Sequence, residues 1–256
     1  MRLSIVIPVY NEAETLGSVL ERVCRVMPGV AKEIIVVDDC SQDGTREWLQ
    51  ANFPSGATTA TSIELHSSGQ LILANASDAA EIDILPIYHG QNTGKGGALR
   101  TGFEAVTGDI VVIQDADLEY DPEDWGEMYD LIARRKVADV VYGSRFYGRP
   151  HRSLFYHHYL ANQLISVLFN LLYNQTLTDI ETCYKMMTRD VLRSLRLSSC
   201  DFGIEVEISA GIARQRQLRI YELGISYYGR TYAEGKKINW KDGLKALWYV
   251  LKFRFA

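Results

Sequence analysis

The first half of the chain repeats one pattern: an apolar run rich in β-branched residues, an acidic or polar cluster, then an amphipathic stretch. Leu3 to Val9 is followed by the amphipathic Ala13 to Val26. Glu33 to Val37 leads into Asp38 to Asp43 and a helix beginning over Asp43 to Leu49, and Ile110 to Ile113 ends in Gln114-Asp115-Ala116-Asp117. Val137 to Tyr142 supplies a further strand. Apolar runs of this length between helical patterns predict βαβ units, hence an α/β fold with a mostly parallel sheet flanked by helices. Open α/β sheets bind ligands beyond the carboxyl ends of their strands, so Pro8 to Glu12, Asp38 to Asp43 and Asp115 to Asp117 are predicted to share one edge.

A length of 256 residues with 47% hydrophobic content suffices for a real core and excludes a disordered chain. A net charge of -5 excludes a polycation that coats nucleic acid, so any bound anion needs local positive charge. Cys24, Cys40, Cys183 and Cys200 lack the paired spacing of a zinc or redox motif and fit a reduced, cytoplasmic chain. The N-terminus reads as a first strand and not as a signal peptide. The most apolar stretch, Tyr159 to Tyr173, is interrupted by Asn162, Gln163 and Asn170 and falls short of the ~20 residues that cross a bilayer. Between Pro54 and Leu85 the pattern weakens, with hairpin strands suggested around Ser62 to His66 and Gln70 to Ala74. After Arg149 the rhythm is lost, and two amphipathic helices bracket a strand-like Arg219 to Tyr227. The expected division is a core at 1–148 and a second part of the same catalytic domain at 149–256.

Three clusters carry chemistry. Asp115 and Asp117, two residues apart at a strand end, can share a hard divalent cation completed by phosphate oxygens, although such a pair taken alone is more often a solvated acidic turn. Asp38 and Asp39 end a second strand, with Ser41 or Asp43 available to cap the following helix and Asp39 to accept from a nucleobase edge. Gln91 to Leu99 is a glycine-rich loop entering a helix, with Lys95 inside it; backbone amides and a lysine suit an anion, although the spacing is not that of a Walker loop.

Taken together, Ile5-Val6-Ile7-Pro8-Val9-Tyr10-Asn11-Glu12, the Asp38 to Thr45 run, Asn92-Thr93-Gly94-Lys95-Gly96 and Asp115-Ala116-Asp117-Leu118-Glu119 resemble the family 2 glycosyltransferases of GT-A (Rossmann-like) fold. Gly143-Ser144-Arg145 extends the likeness toward the dolichol-phosphate mannose synthase and polyprenyl-phosphate glycosyltransferase branch. The resemblance implies a nucleotide-sugar donor with Pro8, Tyr10, Glu12 and Asp39 around the nucleoside. It also implies Mg²⁺ or Mn²⁺ held by Asp115 and Asp117 against the diphosphate, with Glu119 at a further metal-site position. Two departures stand out: Cys40 occupies a position where the family often has Gly or Asn, and Pro54 to Leu85 is longer than the usual connection.

The same resemblance places acceptor-phosphate binding at Arg145, and more loosely at Arg152. Guanidinium forks suit that role, while a solvated basic loop is the plain alternative. Asp179 aligns with an acidic position near the sugar, with Glu181 a second candidate; a hydroxyl acceptor needs such a base and an ionised phosphate does not. Arg230 to Lys237 resembles a lid whose Lys236 or Lys237 meets the diphosphate. Leu160, Leu164, Val167, Leu168 and Leu171 share one helix face, as do Trp240, Leu244, Leu247, Trp248 and Leu251 beside Lys241, Lys245, Lys252 and Arg254. Core packing is the commoner explanation of each stripe, while the lysines and aromatics of the second also suit an interfacial helix on anionic lipid.

The expectation is therefore a metal-dependent inverting glycosyltransferase acting from a nucleotide sugar (GDP-mannose or UDP-glucose type) on a polyprenyl phosphate, peripheral at the inner face of the membrane. The rivals are transfer to a soluble hydroxyl with Asp179 as base, and a nucleotide-sugar-binding protein without turnover. Sugar, base and oligomeric state stay open.

Overall fold

The computed structural model describes residues 1–75, 80–153, 155–231, 234 and 240–255, the side chains of Trp240 and Lys241 excepted. The chain forms two compact units, Met1–Leu118 and Glu119–Ala256.

In the first unit, β1 (Leu3–Val9), α1 (Leu16–Arg25), β2 (Lys32–Asp38) and α2 (Thr45–Asn52) realise the expected βαβα start. Then come β3 (Thr58–Ala60), β4 (Ser62–Leu65), β5 (Leu71–Ala74), β6 (Ile82–Tyr88), α3 (Gly94–Ala105) and β7 (Ile110–Ile113). The strand order is β7-β1-β2-β6-β3, parallel except for β3, which runs antiparallel to β6. β2 is buried along its whole length, as its apolar run from Ile34 to Val37 requires of a strand covered on both faces. Pro8 lies two residues past Val6, the last residue of β1 paired with β7, so its missing N–H leaves no gap in that ladder. α1 buries Leu16, Val19, Leu20 and Val23 at helical spacing. α3 packs on β1 and β2, and a Cβ on Gly102 would collide with Val6.

The weakly patterned stretch contains the expected hairpin, β4 against β5. It also contains β6, which pairs with β2 inside the sheet and went unread. Asp83 and Pro86 interrupt its apolar run. In the fold, Asp83 accepts from Arg2 and Thr59, and the strand buries only alternate residues.

The second unit contains a short 3₁₀ turn (Pro122–Asp124), α4 (Trp125–Tyr129), a π turn (Asp130–Arg134) and β8 (Val140–Ser144). It continues with α5 (Tyr156–Tyr173), β9 (Lys185–Thr188), α6 (Arg189–Ser194), α7 (Gly203–Ala213), β10 (Ile220–Gly224) and α8 (Trp240–Phe255). β8 lies between β10, parallel to it, and β9, antiparallel. α7 is buried at nearly every position, so it shows no amphipathic stripe. Its acidic residues are matched inside the unit. Glu205 meets Lys185 Nζ at 2.6 Å, and Glu207 accepts from the amides of Ser198 and Ser199.

α5 and α8 pack together, and α8 also packs on α7. The outer faces of α5 and α8 are apolar and exposed, with Leu171 78% and Trp248 58% accessible. Among the described residues, no helix is long and apolar enough to cross a membrane.

Candidate active site

The carboxyl ends of β1, β2 and β7 bring the three polar clusters of the first unit to one edge, as the parallel registers dictate. The turns there are sewn together. Asn11 N donates to Ser41 Oγ (2.9 Å), Glu12 N to Thr45 Oγ1 (3.0 Å) and Ala13 N to Asp43 Oδ2 (3.0 Å). Asp43 also accepts from Thr45 N, so of the two candidate caps it is Asp43 that satisfies the start of α2. Those hydrogen bonds hold its carboxyl below the usual range. Glu12 accepts from Thr15 Oγ1, which also reaches the carbonyl of Ala116 (2.6 Å) and so links the β1 and β7 turns. Tyr10 is exposed.

The two aspartates ending β2 divide the work. Asp38 accepts from Arg46 Nε (2.6 Å) and Ser41 N (3.2 Å) and is fully buried. Asp39 Oδ1 accepts from Thr93 N, Thr93 Oγ1 and, at 2.7 Å, faces His89 Nδ1, while Oδ2 accepts from Gly94 N (2.7 Å). Asp39 thus tethers β2 to the first turn of α3. Gly94 there has φ +81°, and a Cβ on Gly97 would strike Thr93. From the second position of α3, Lys95 Nζ reaches Asp115 Oδ1 at 2.8 Å and Oδ2 at 3.1 Å. Arg46, His89 and Thr93 were not legible as partners, since each lies 8 to 54 residues from its aspartate.

Each of these strand ends also carries a non-glycine residue in the left-handed region: Asn11 (φ 54°), Cys40 (φ 65°) and Leu118 (φ 61°). Such residues are sparse and gather at functional turns. The departure at Cys40 now has a physical meaning, since Gly and Asn are the residues that accept this conformation readily.

Among the described residues, no three His, Cys, Asp or Glu side chains form a ready-made metal site. Asp115 and Asp117 supply two carboxylates at one turn, and Asp115 already holds a cation, the Lys95 ammonium. That donor chemistry fits a hard divalent ion completed by ligand oxygens. Glu119, counted in the second unit, accepts from Tyr227 Oη (2.7 Å) and from Arg230 N (2.8 Å).

The second unit is built around Arg145 at the end of β8. Asp179, fully buried, grips it side-on, Oδ2 with Nε at 2.7 Å and Oδ1 with Nη2 at 2.8 Å, and Oδ2 also accepts the Arg145 amide. Phe146 and Tyr227 lie 5.6 and 5.3 Å from the guanidinium carbon, in cation–π range. Charge from Asp179 pushes the Arg145 pKa up against the opposing effect of burial. The side-on grip engages Nε and Nη2 of the guanidinium. Glu181, beside this pair, is pushed up to about 7 by burial, Arg145 pulling the other way.

Arg152 donates to Glu234 (2.8 Å) and to the Gly229 carbonyl (3.2 Å) in an exposed pair, and its amide donates to the carbonyl of Tyr227 (2.9 Å). Lys236 and Lys237 lie outside the described residues.

The α/β architecture and acidic strand ends define a chain of the GT-A class. The model of the family described as glycosyl transferase family 2 matches residues 4–58 and 68–196, and the chain belongs to that family. It is 26% identical over 242 residues to a dolichol-phosphate mannosyltransferase of Pyrococcus furiosus, covering 93% of this chain and 61% of that protein. It is 27% identical over 246 residues to an undecaprenyl-phosphate mannosyltransferase of Micrococcus luteus, covering 92% and 87%. The chain therefore spans about three fifths of the first relative's length and most of the second's. Among solved structures, glucosyl-3-phosphoglycerate synthase of Mycobacterium tuberculosis with phosphoglyceric acid matches at TM-score 0.69 and 17% identity, over 99% of this chain and 80% of that one. The same enzyme in complex with Mn²⁺, uridine diphosphate and phosphoglyceric acid matches at TM-score 0.67 and 18% identity, over 99% and 78%. At these identities the likeness speaks for the fold.

Proposed function

We propose that the protein transfers a hexosyl group from a nucleotide sugar to a polyprenyl phosphate, inverting the anomeric carbon. The observation that carries this reading is the Arg145 guanidinium at the end of β8, locked side-on by Asp179 through Nε and Nη2. A buried arginine fixed in this way suits bidentate recognition of a phosphate. The names of the two sequence relatives supply the lipid-phosphate class.

In this reading the first unit binds the donor. Pro8, Tyr10, Glu12 and Asp39 surround the nucleoside, Asp39 doing so through the α3 turn it anchors. Lys95 and the α3 N-terminus meet the diphosphate. Asp115 and Asp117 would hold Mg²⁺ or Mn²⁺, which when bound neutralises charge on the diphosphate; the Mn²⁺-bound structural neighbour supports that class of ion. Glu119 and Lys236 belong to the same donor assignment.

The second unit binds the acceptor through Arg145, with Arg152 as a weaker contributor. An acceptor phosphate oxygen forms the bond to the anomeric carbon as the bond to the diphosphate oxygen breaks, and the nucleoside diphosphate leaves with that electron pair. An ionised phosphate needs no base. This agrees with Asp179, whose two oxygens are committed to Arg145.

A lipid acceptor places the reaction at a membrane surface. The exposed stripe of Leu160, Leu164, Val167 and Leu171 on α5, a helix with no Asp, Glu, Lys or Arg, supports that location, as does Trp248 with Lys245 and Lys252 on α8.

The deciding experiment is a panel of GDP- and UDP-sugars offered with a short polyprenyl phosphate, scored for lipid-linked sugar and released nucleoside diphosphate. Stoichiometric formation of both is expected with one donor. Transfer only to hydroxyl acceptors, or donor binding with no turnover on any lipid phosphate, overturns the reading.

A further inference from the structure

The segment that presents Asp179 is held by its backbone from two directions. From α5, Asn170 clamps Leu177: Nδ2 donates to the carbonyl (2.7 Å) and Oδ1 accepts from the amide (3.1 Å). From β10, Glu222 Oε1 accepts from the amides of Thr178 (2.8 Å) and Asp179 (3.2 Å). Thr178 is further tied by its hydroxyl to Ser144 at the end of β8 (2.6 Å). A chain of contacts therefore runs from Glu222 through the Asp179 backbone to the Asp179 carboxylate and on to Arg145.

Glu222 is an expensive choice for a purely structural clamp. Burial raises its pKa, and the neighbouring Asp179 charge pushes in the same direction, so an ionised carboxylate there is disfavoured by its surroundings. Two adjacent amides aimed at one oxygen offset this, and they fix the Asp179 main chain to within a hydrogen-bond length.

Resting on the acceptor assignment above, we propose that Glu222, seconded by Asn170, is a positioning residue that sets the orientation of Arg145 for the acceptor phosphate. Neither residue touches the substrate. Asn170 is a polar residue that breaks the apolar pattern of α5, and the clamp explains that interruption, because α5 carries an apolar stripe outward and a backbone clamp inward.

The test measures KM for a short polyprenyl phosphate, and inhibition by inorganic phosphate, in Glu222→Ala, Glu222→Gln, Asn170→Ala and Arg145→Ala. Glu222→Ala is expected to raise the acceptor KM about tenfold while leaving the donor KM within about twofold, the scale of losing charge-assisted hydrogen bonds. Glu222→Gln, which keeps an acceptor oxygen, should recover most of that loss. Combined with Arg145→Ala, the alanine at 222 should add less than about twofold, because its effect runs through Arg145.

An unchanged acceptor KM in Glu222→Ala, with Arg145→Ala raising it, overturns the inference. So does an equal effect of Glu222→Ala in both backgrounds. An unchanged acceptor KM in Arg145→Ala overturns instead the acceptor assignment beneath it. If Glu222→Ala does not fold, Asn170→Ala carries the same measurement with the same outcomes.

Discussion

The two units place charged side chains by different routes. In the first, acidic groups stand at the ends of neighbouring parallel strands, and chain order alone lines up Asp39 and Asp115. In the second, Arg145 meets a carboxylate 34 residues away, and that carboxylate depends on Glu222, 43 residues further on. The first route yields a row of turns in which Asp38 and Asp39 are buried and Asp115 and Asp117 half-buried. The second yields a buried ion pair whose strength comes from the surrounding fold. Substitutions at Asp115 and Asp117 should therefore cost mainly activity, and those in the Arg145–Asp179 pair both stability and activity.

The sharpest break is expected from Asp117→Asn. Removing the charge from a half-buried turn residue should leave thermal unfolding nearly unchanged while turnover with Mg²⁺ or Mn²⁺ falls about a thousandfold. Retained turnover would sink the metal assignment. Steady-state kinetics beside a melting curve make the comparison.

Next in size, Asp179→Asn should destabilise the fold by about 3 kcal/mol, since Arg145 would keep its charge in a buried site without a counter-ion. Asp39→Asn in the first unit should cost about 1 to 2 kcal/mol, because its carboxylate is met mainly by neutral amide and hydroxyl donors. Chemical denaturation of the two variants measures the difference directly. Equal losses would mean that the ion pair adds nothing beyond its hydrogen bonds.

The same contrast explains what could be read in advance. Strand-end carboxylates follow a periodic apolar run, so Asp39, Asp115 and Asp117 announce themselves. The partners that give them meaning, Arg46, His89 and Thr93, do not, because a tertiary contact has no local signature. β9 escaped because four residues beginning with a buried lysine carry no strand period, and α7 because a helix buried all round shows no stripe. The apolar faces of α5 and α8 were legible as stripes. Whether they faced inward was a question of packing, and the fold turns them out.

Glu181 gives a smaller effect, with a sign fixed by its surroundings. Its folded-state pKa is pushed up to about 7 from an ordinary 4.5, so the folded protein binds a proton there that the unfolded chain has released. Stability from this group is therefore greatest below the ordinary carboxylate range and declines as pH rises toward 7, after which the penalty is complete. Glu181→Gln should thus be more stable than the parent at pH 8 by an amount on the order of 2 kcal/mol, solvent screening at this half-buried side chain reducing the roughly 3 kcal/mol of the full rise, and nearly equal to it at pH 4. A pH-independent difference between the two proteins would show that Glu181 titrates normally.

The smallest effect returns to the strand ends. Cys40 holds φ 65°, where an L-residue with an ordinary side chain is strained by roughly 1 kcal/mol, and its thiol makes only a weak 3.8 Å contact with the Gly90 carbonyl. Asn tolerates the left-handed region, so Cys40→Asn should stabilise the fold by about 0.5 to 1 kcal/mol. Cys40→Gly relieves the same strain but loses much of the gain through a freer unfolded chain, leaving it within about 0.5 kcal/mol of the parent. Cys40→Val, β-branched and least tolerant of positive φ, should lose more than about 1 kcal/mol. Denaturant midpoints should therefore rank Asn above Gly and Cys, with Val last. A valine variant as stable as the parent would mean that the turn after β2 does not hold its left-handed residue in solution, and that this strand-end edge is less rigid than the buried arginine pair of the second unit.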